Sequence, residues 1–161
     1  MPTVEISFTP LPAHVRTARL IAAAMARRSG IEGALLDEIR LAVGEACSRA
    51  VGVHQRNAAV QPVILTISDE PDTFVAIVAD TAGADAPVAD ETDDPFRLVS
   101  DDDEIRGGGV DDVLDVLPSG FGLAVIAGLV DDLDVVRAPT GTVVRMTWKA
   151  PRPPAEADAS R

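Results

Sequence analysis

The chain has very few of the residues that most often build disulfide bonds and metal sites. Its 161 residues include a single cysteine, Cys47, and two histidines, His14 and His54. One cysteine excludes an internal disulfide and a cysteine-cluster metal site, and it gives no support for secretion. We therefore predict no metal ligand in this chain.

Long hydrophobic runs are also absent. The longest, GLAVIAGLV at residues 122–130, is too short to span a bilayer. The N-terminal residues MPTVEISFTP lack the charged and apolar regions of a signal peptide. With 47% hydrophobic and 25% charged residues, the composition is typical of a soluble globular domain. We therefore expect a cytoplasmic protein with no membrane contact.

Positive charge is scarce. The formal net charge is −12, and residues 85–115 hold twelve acidic residues against two arginines, a local balance of −10. Such a surface repels phosphate backbones and anionic lipid, so we expect no direct binding to nucleic acid. Two interpretations stay open for this segment: contact with a basic protein surface, or a solvated loop.

Hydrophobic periodicity predicts a strand and two helices in the first third of the chain. Residues 3–8 (TVEISF) alternate polar and apolar positions, as a half-buried strand does. Residues 13–28 and about 34–53 carry apolar side chains at helical spacing. The arginines of the first helix lie mostly off its apolar stripe: Arg16, Arg19, Arg27 and Arg28.

The rest of the chain indicates two hairpins separated by a long connection. VILTISDE after Pro62 and TFVAIVAD ending at Asp80 are typical of adjacent antiparallel strands. Residues 81–118 are long for a connection within a compact domain, which indicates a functional loop, a lid or disorder. A short buried helix is predicted after Gly122, and DLDVVRA and TVVRMTWK then give two strands around a PTG turn. Residues 150–161 are typical of a disordered tail.

This order of elements predicts one α+β domain, residues 1–149. Because the strands come in hairpins and the helices do not alternate with them one for one, a two-layer sandwich is favoured over a doubly wound parallel sheet. We expect a mostly antiparallel mixed sheet with all the helices on one face.

The segment LAVGEACSRAV, residues 41–51, places two charged residues on an otherwise apolar helix. Glu45 and Arg49 are four residues apart, a spacing that suits an intrahelical ion pair worth roughly 0.3 to 0.5 kcal/mol on an exposed face. Glu45 also borders the core stripe, where an unpaired carboxylate carries a desolvation cost. Either Arg49 pairs with Glu45, or the two side chains line a cavity.

Two further segments have features of ligand sites. Asp80 ends an apolar strand and is followed by the small residues TAGA, which leave space beside its carboxylate; a turn-initiating aspartate is the alternative. In SGFGL, Gly120 and Gly122 let the backbone approach a ligand where a helix N-terminus presents free N–H groups to an anion. A tight turn is the alternative there.

In their order and spacing, LAVGEACSRAV, VAIVADTAGA, the long connection, GFGLAVIAGLVDDLDV and GTVVRMTW resemble the GHKL (histidine-kinase-like) ATP-binding superfamily. Within it the chain is most similar to the bacterial anti-sigma factors that are also serine kinases, over most of residues 3–149. The resemblance implies ATP or ADP as ligand, and a sigma factor and an anti-anti-sigma (STAS-domain) protein as partners. It also implies a homodimer, for which the first helix, with Phe8 and Val15 near it, is the predicted surface.

The resemblance also implies roles for individual residues. Glu45 stands where the family carries a general base, and Asp80 stands where the family aspartate reads the adenine amino group. The glycine-rich box that closes over the phosphates and the Gly-Thr near the adenine pocket are matched by the following residues: Gly120, Gly122, Leu123, Gly141 and Thr142.

Three positions depart from the family pattern. Arg49 stands where the family has an asparagine that holds Mg²⁺, and a guanidinium has five donors and no acceptor. We therefore expect metal-assisted phosphoryl transfer to be severely weakened unless another ligand holds Mg²⁺, and we predict that Arg49 binds phosphate oxygens if a nucleotide is bound. Ala82 and Ala84 stand at two glycine positions of the motif that begins with Asp80.

Three hypotheses follow. The preferred one is an anti-sigma factor with a partly degenerate ATP-type site, which binds its partners with catalysis left open. The second is an active ATP-dependent serine kinase that phosphorylates an anti-anti-sigma factor, with Glu45 activating the substrate hydroxyl. The third is an interaction domain that binds no nucleotide, in which Glu45 and Arg49 form only a helix-surface ion pair.

Overall fold

The computed structural model describes residues 2–57, 59–82 and 122–150. Within these ranges the chain forms five strands and three helices. In chain order they are β1 (Thr3–Phe8), α1 (Pro12–Arg28), α2 (Gly33–Arg56), β2 (Val63–Asp69), β3 (Thr73–Ala79), α3 (Gly122–Leu129), β4 (Asp132–Ala138) and β5 (Gly141–Lys149).

The strands form one open sheet in the order β1-β2-β3-β5-β4. Each of its four pairings is antiparallel. The predicted α+β architecture is therefore confirmed, but the sheet of the described ranges is purely antiparallel and has no parallel component. Pairing of β3 with β5 brings the end of β3 beside the start of β5, because antiparallel neighbours run in opposite directions.

The helices cover one face of this sheet. Alternate residues of the central strands are fully buried and lie in register across the strands, as in the row Leu65, Val78 and Val144. All three helices contribute to the same core, including α3 through Ile126. The two-layer arrangement follows, with α2 packed against both α1 and α3.

The connection from α1 to α2 is a glycine-terminated helix end. Gly30 has φ of +80°, its N–H donates to Arg27 O (2.9 Å), and the next N–H, of Ile31, donates to Ala26 O (3.0 Å). This is the Schellman pattern, in which a residue with positive φ reverses the chain and an apolar residue follows. Ile31 is buried accordingly and fixes α2 against α1.

Arg19 departs from the predicted stripe of α1. Its side chain is buried between α1 and α2, although the periodicity placed it among the exposed arginines. Gly44 on α2 makes the room, because a Cβ there would lie 3.0 Å from Arg19 Nε. The same packing buries Val15, so this residue does not contribute to the exposed dimer surface predicted for it.

The C-terminal end of α3 is held on β5. The indole N–H of Trp148 donates to Leu129 O at 2.7 Å, which satisfies one of the free carbonyls at the end of the helix. Asp131, in the turn that follows, accepts the Lys149 N–H through Oδ2 at 2.7 Å and donates its own N–H to Thr147 O at 3.0 Å. These contacts set the position of α3, whose other end lies against α2.

Some predicted segments lie outside the described residues, and one predicted helix end differs from the structure. Most of the predicted lid, residues 83–118, and the tail residues 151–161 lie outside them. Helix α2 continues to Arg56 rather than ending near Val53, so it includes His54. Among the helices of the described ranges, none combines the length and apolar character needed to cross a membrane.

Candidate functional site

Four elements meet where β3 ends. Glu45 and Arg49 lie one turn apart on α2, Asp80 follows β3 directly, Thr142 is the second residue of β5, and Gly122 begins α3. Residues from distant parts of the sequence are thus brought to one end of the sheet. The antiparallel pairing of β3 with β5 and the packing of α3 on α2 cause this convergence.

The carboxylate of Asp80 is the most constrained group of the site. Its Oδ1 accepts the Thr142 N–H at 3.1 Å, while its own backbone N–H donates to Thr142 O at 2.9 Å. Oδ1 also faces the Ala82 N–H at 3.5 Å, a long contact. Asp80 is 5% exposed, and loss of the Thr142 N–H would leave its Oδ1 with only the long contact to Ala82.

Arg49 supplies the counter-charge for this carboxylate. Its Nη1 lies 3.4 Å from Asp80 Oδ2, and the two side chains are 18% and 3% exposed. Within the described ranges no ion pair joins Arg49 to Glu45, although their spacing permits one. The local ion pair predicted by the third hypothesis is therefore replaced by a contact between α2 and the end of β3.

Glu45 remains without that counter-charge. It is 8% exposed, and its Oε1 is buried with no hydrogen-bond partner among the described residues. Burial raises the pKa of this carboxyl group above its ordinary value of 4.5, because desolvation disfavours the charged form. The group is accordingly easier to protonate than an exposed glutamate.

Gly122 lies directly against this part of α2. A Cβ built on it would lie 3.7 Å from Glu45 Oε1 and 3.6 Å from Arg49 Cδ, which are ordinary van der Waals distances. The first turn of α3 therefore packs on the aliphatic stem of Arg49 and on the Glu45 carboxyl group.

Gly141 has a stricter requirement. Its φ is +142°, and an added Cβ would overlap the Asp80 carbonyl oxygen and lie 2.8 Å from the Asp80 carbonyl carbon and 3.0 Å from Thr81 Cα. Only glycine fits this close approach of the β4–β5 turn to the end of β3. The adjacent Thr142 N–H can reach the Asp80 carboxylate for this reason.

His54 also contacts the chain at the end of β3, and the sequence patterns did not predict this contact. It is fully buried, and its Nε2 accepts the Thr81 N–H at 3.1 Å. An Nε2 that accepts a hydrogen bond implies a neutral ring protonated at Nδ1, an atom with no partner among the described residues. Because α2 was predicted to end at Val53, His54 was placed outside the helix. In a helix one turn longer it lies on the same face as Ala50.

The structure brings together five of the predicted site residues, and these are Glu45, Arg49, Asp80, Gly122 and Thr142. Ala82 lies beside Asp80, and Leu123 is half-buried against the hydrophobic core. Ala84 and Gly120 lie outside the described residues.

The residues that the structure describes at this site do not fit a magnesium ion. In the described ranges no group of three His, Cys, Asp or Glu side chains could hold a metal. Arg49 has no lone pair to offer, and its charge repels a cation. One carboxylate oxygen of Asp80 is already bonded by a backbone N–H and the other by Arg49.

Comparisons with known proteins agree with this architecture. The model of the histidine kinase-like ATPase domain matches residues 8–148. Among solved structures, the fold is similar to the crystal structure of the RsbU and RsbW domains of Rv1364c from Mycobacterium tuberculosis, with a TM-score of 0.62 and 17% identity. That match covers 95% of this chain and 34% of the other, so this chain spans about a third of its length. No curated protein matches the chain.

We predict that Gly141→Ala destabilises the fold by at least about 2 kcal/mol, because the new methyl overlaps the Asp80 backbone and the φ is unfavourable. Gly128→Ala on α3 is the matched control: nothing lies within 4 Å of its Cβ position, and a helical alanine is favoured by up to about 1 kcal/mol. Urea unfolding followed by circular dichroism measures both. Equal stability of the two variants would contradict the close approach.

We predict that Glu45→Gln becomes more stable relative to the wild type as pH rises. With a raised pKa in the folded state, this carboxyl binds more protons when folded than when unfolded. Its contribution to stability is therefore complete below the unfolded pKa and is lost as pH rises through the folded pKa, and glutamine removes this loss. Urea unfolding of both proteins between about pH 4 and pH 8 tests this. A difference that stays constant across that range would contradict it.

Proposed function

Because the chain belongs to the histidine kinase-like ATPase domain family, we propose that it is an anti-sigma factor with a partly degenerate ATP-type site. In this role it holds a sigma factor until an anti-anti-sigma (STAS-domain) protein displaces that sigma factor. The resemblance of its motifs to the anti-sigma branch of the family supports the proposal. The similarity of its fold to a structure that contains an RsbW domain is consistent with it.

The observation that carries the binding role, as opposed to catalysis, is the contact of Arg49 with Asp80. Phosphoryl transfer in ATP-dependent enzymes depends on a metal that neutralises phosphate charge, and this position supplies a guanidinium instead of a metal ligand. A domain that keeps the fold but lacks this ligand can still present its surface to a protein partner. We therefore place a kinase function second.

The kinase alternative depends on Glu45. A general base must be able to reach the hydroxyl group that it deprotonates and must carry the right charge. Glu45 is 8% exposed and its Oε1 lies beside the start of α3, which restricts access of a substrate hydroxyl to this carboxyl group. This arrangement favours a structural role for Glu45 in joining α2 to α3.

Charge suggests how a sigma factor is recruited. The acidic segment 85–115 suits a partner with a basic surface, which is the character of proteins that bind DNA. Charge complementarity of this kind acts mainly on the association rate and is screened by salt.

We propose that the chain works in the cytoplasm as a homodimer.

The proposal predicts that the purified chain binds one of the sigma factors of its own organism and inhibits transcription from the matching promoter. Binding, measured by biolayer interferometry, should be unchanged by ATP and Mg²⁺, and its association rate should fall as salt rises. Adding the STAS-domain partner should restore transcription without phosphate transfer.

Two outcomes would contradict this. Failure to bind any sigma factor would remove the anti-sigma role. Transfer of phosphate from labelled ATP to a serine of the STAS-domain protein, lost in Glu45→Ala, would instead establish the kinase.

A further inference from the structure

Adenine recognition in this family, as the resemblance implies, requires a free oxygen on the aspartate that follows β3. In this chain both oxygens of Asp80 have donors. Oδ1 accepts the Thr142 N–H at 3.1 Å, and Oδ2 faces Arg49 Nη1 at 3.4 Å. Each oxygen has a second lone pair, but the Asp80 side chain is 3% exposed, so an adenine amino group would have to displace one of these donors to reach it.

Neither donor is easily displaced. The Thr142 N–H is fixed by the continuation of the β3–β5 ladder, since the same two residues also share the bond from Asp80 N to Thr142 O. Arg49 is a cation, and a charge-assisted contact is stronger than one made by a neutral amine. Its displacement would leave a largely buried guanidinium and a buried carboxylate without each other.

Packing holds the arginine side chain in this position. The first residue of α3, Gly122, lies against the stem of Arg49, with its Cβ position 3.6 Å from Cδ and 3.9 Å from Cβ of the arginine. The other end of α3 is bonded to Trp148 of the sheet. The start of α3 therefore lies beside the stem of Arg49.

We infer that Arg49 closes the adenine end of the site, so that this chain does not bind ATP or ADP in the manner of its family and its partner binding is independent of nucleotide. Arg49 neutralises the Asp80 carboxylate and supports α3, so the site is stabilised without a bound ligand. Partner binding that is independent of nucleotide rests on the proposed function. The closed site itself depends only on the contacts of Arg49 and Asp80 given above.

The test is calorimetric titration of ATP and of ADP, each with and without Mg²⁺, into the wild type and Arg49→Asn. The wild type should show no binding at millimolar nucleotide. Arg49→Asn frees Asp80 Oδ2 and restores an amide oxygen to α2, so its affinity should rise by about tenfold or more, with dependence on Mg²⁺. Arg56→Asn is the matched control, since Arg56 is an exposed residue of the same helix and should leave the wild-type result unchanged.

Circular dichroism must show that each variant is folded. If Arg49→Asn is not folded, Arg49→Gln takes its place, because the longer side chain keeps more of the stem that packs on Gly122. Micromolar binding of ATP or ADP by the wild type would overturn the inference. A folded Arg49 variant that still binds no nucleotide would overturn it too.

The sigma-factor measurement separates this inference from the proposed function. Wild-type protein that binds both a sigma factor and ATP would refute the closed site and leave the anti-sigma role standing. Wild-type protein that binds neither would refute the anti-sigma role and leave the closed site standing.

Discussion

A buried carboxylate must be neutralised or hydrogen-bonded, and in this fold the carboxylate of Asp80 sets that requirement. It lies at the end of β3 with its side chain 3% exposed. Two elements meet this requirement: β5, through the Thr142 N–H and the close approach that Gly141 permits, and α2, through Arg49. The end of β3 is thus joined to α2 through one side chain, and His54 adds a second bond from α2 to the next residue.

The charges of the site follow from this requirement. One cation faces two buried carboxyl groups, and it contacts Asp80, which has the more buried side chain. Glu45 has no cation of its own among the described residues, and burial raises the pKa of its carboxyl group. Arg49 therefore neutralises the Asp80 carboxylate without a metal or a ligand.

The sequence predicted the elements well and their contacts less well. Alternation in TVEISF and VILTISD and helical spacing in α1 and α2 are direct consequences of one buried face, so periodicity was sufficient for them. Periodicity could not predict the ion-pair partner of Arg49. Local spacing allowed Glu45, four residues away, whereas Asp80 lies 31 residues away and reaches Arg49 only because β3 ends beside α2.

Two other residues illustrate the same limit. Arg19 is buried because Gly44 on a neighbouring helix leaves space for it, and no pattern within α1 records that space. His54 was missed because a helix end predicted one turn early excluded it. Motif order carries long-range information that periodicity lacks, and it predicted one shared site for Glu45, Asp80, Gly122 and Thr142, which the structure places close together.

A double-mutant cycle between Arg49 and Asp80 tests most directly whether their contact holds the site together. The free energies of unfolding of Arg49→Met, Asp80→Asn and the double variant would be compared with that of the wild type. We predict a coupling energy of about 1 kcal/mol or more for this pair, and none for the same cycle between Arg49 and Glu45. Additive effects for Arg49 and Asp80, within about 0.3 kcal/mol, would contradict the claim that their contact holds α2 to the end of β3.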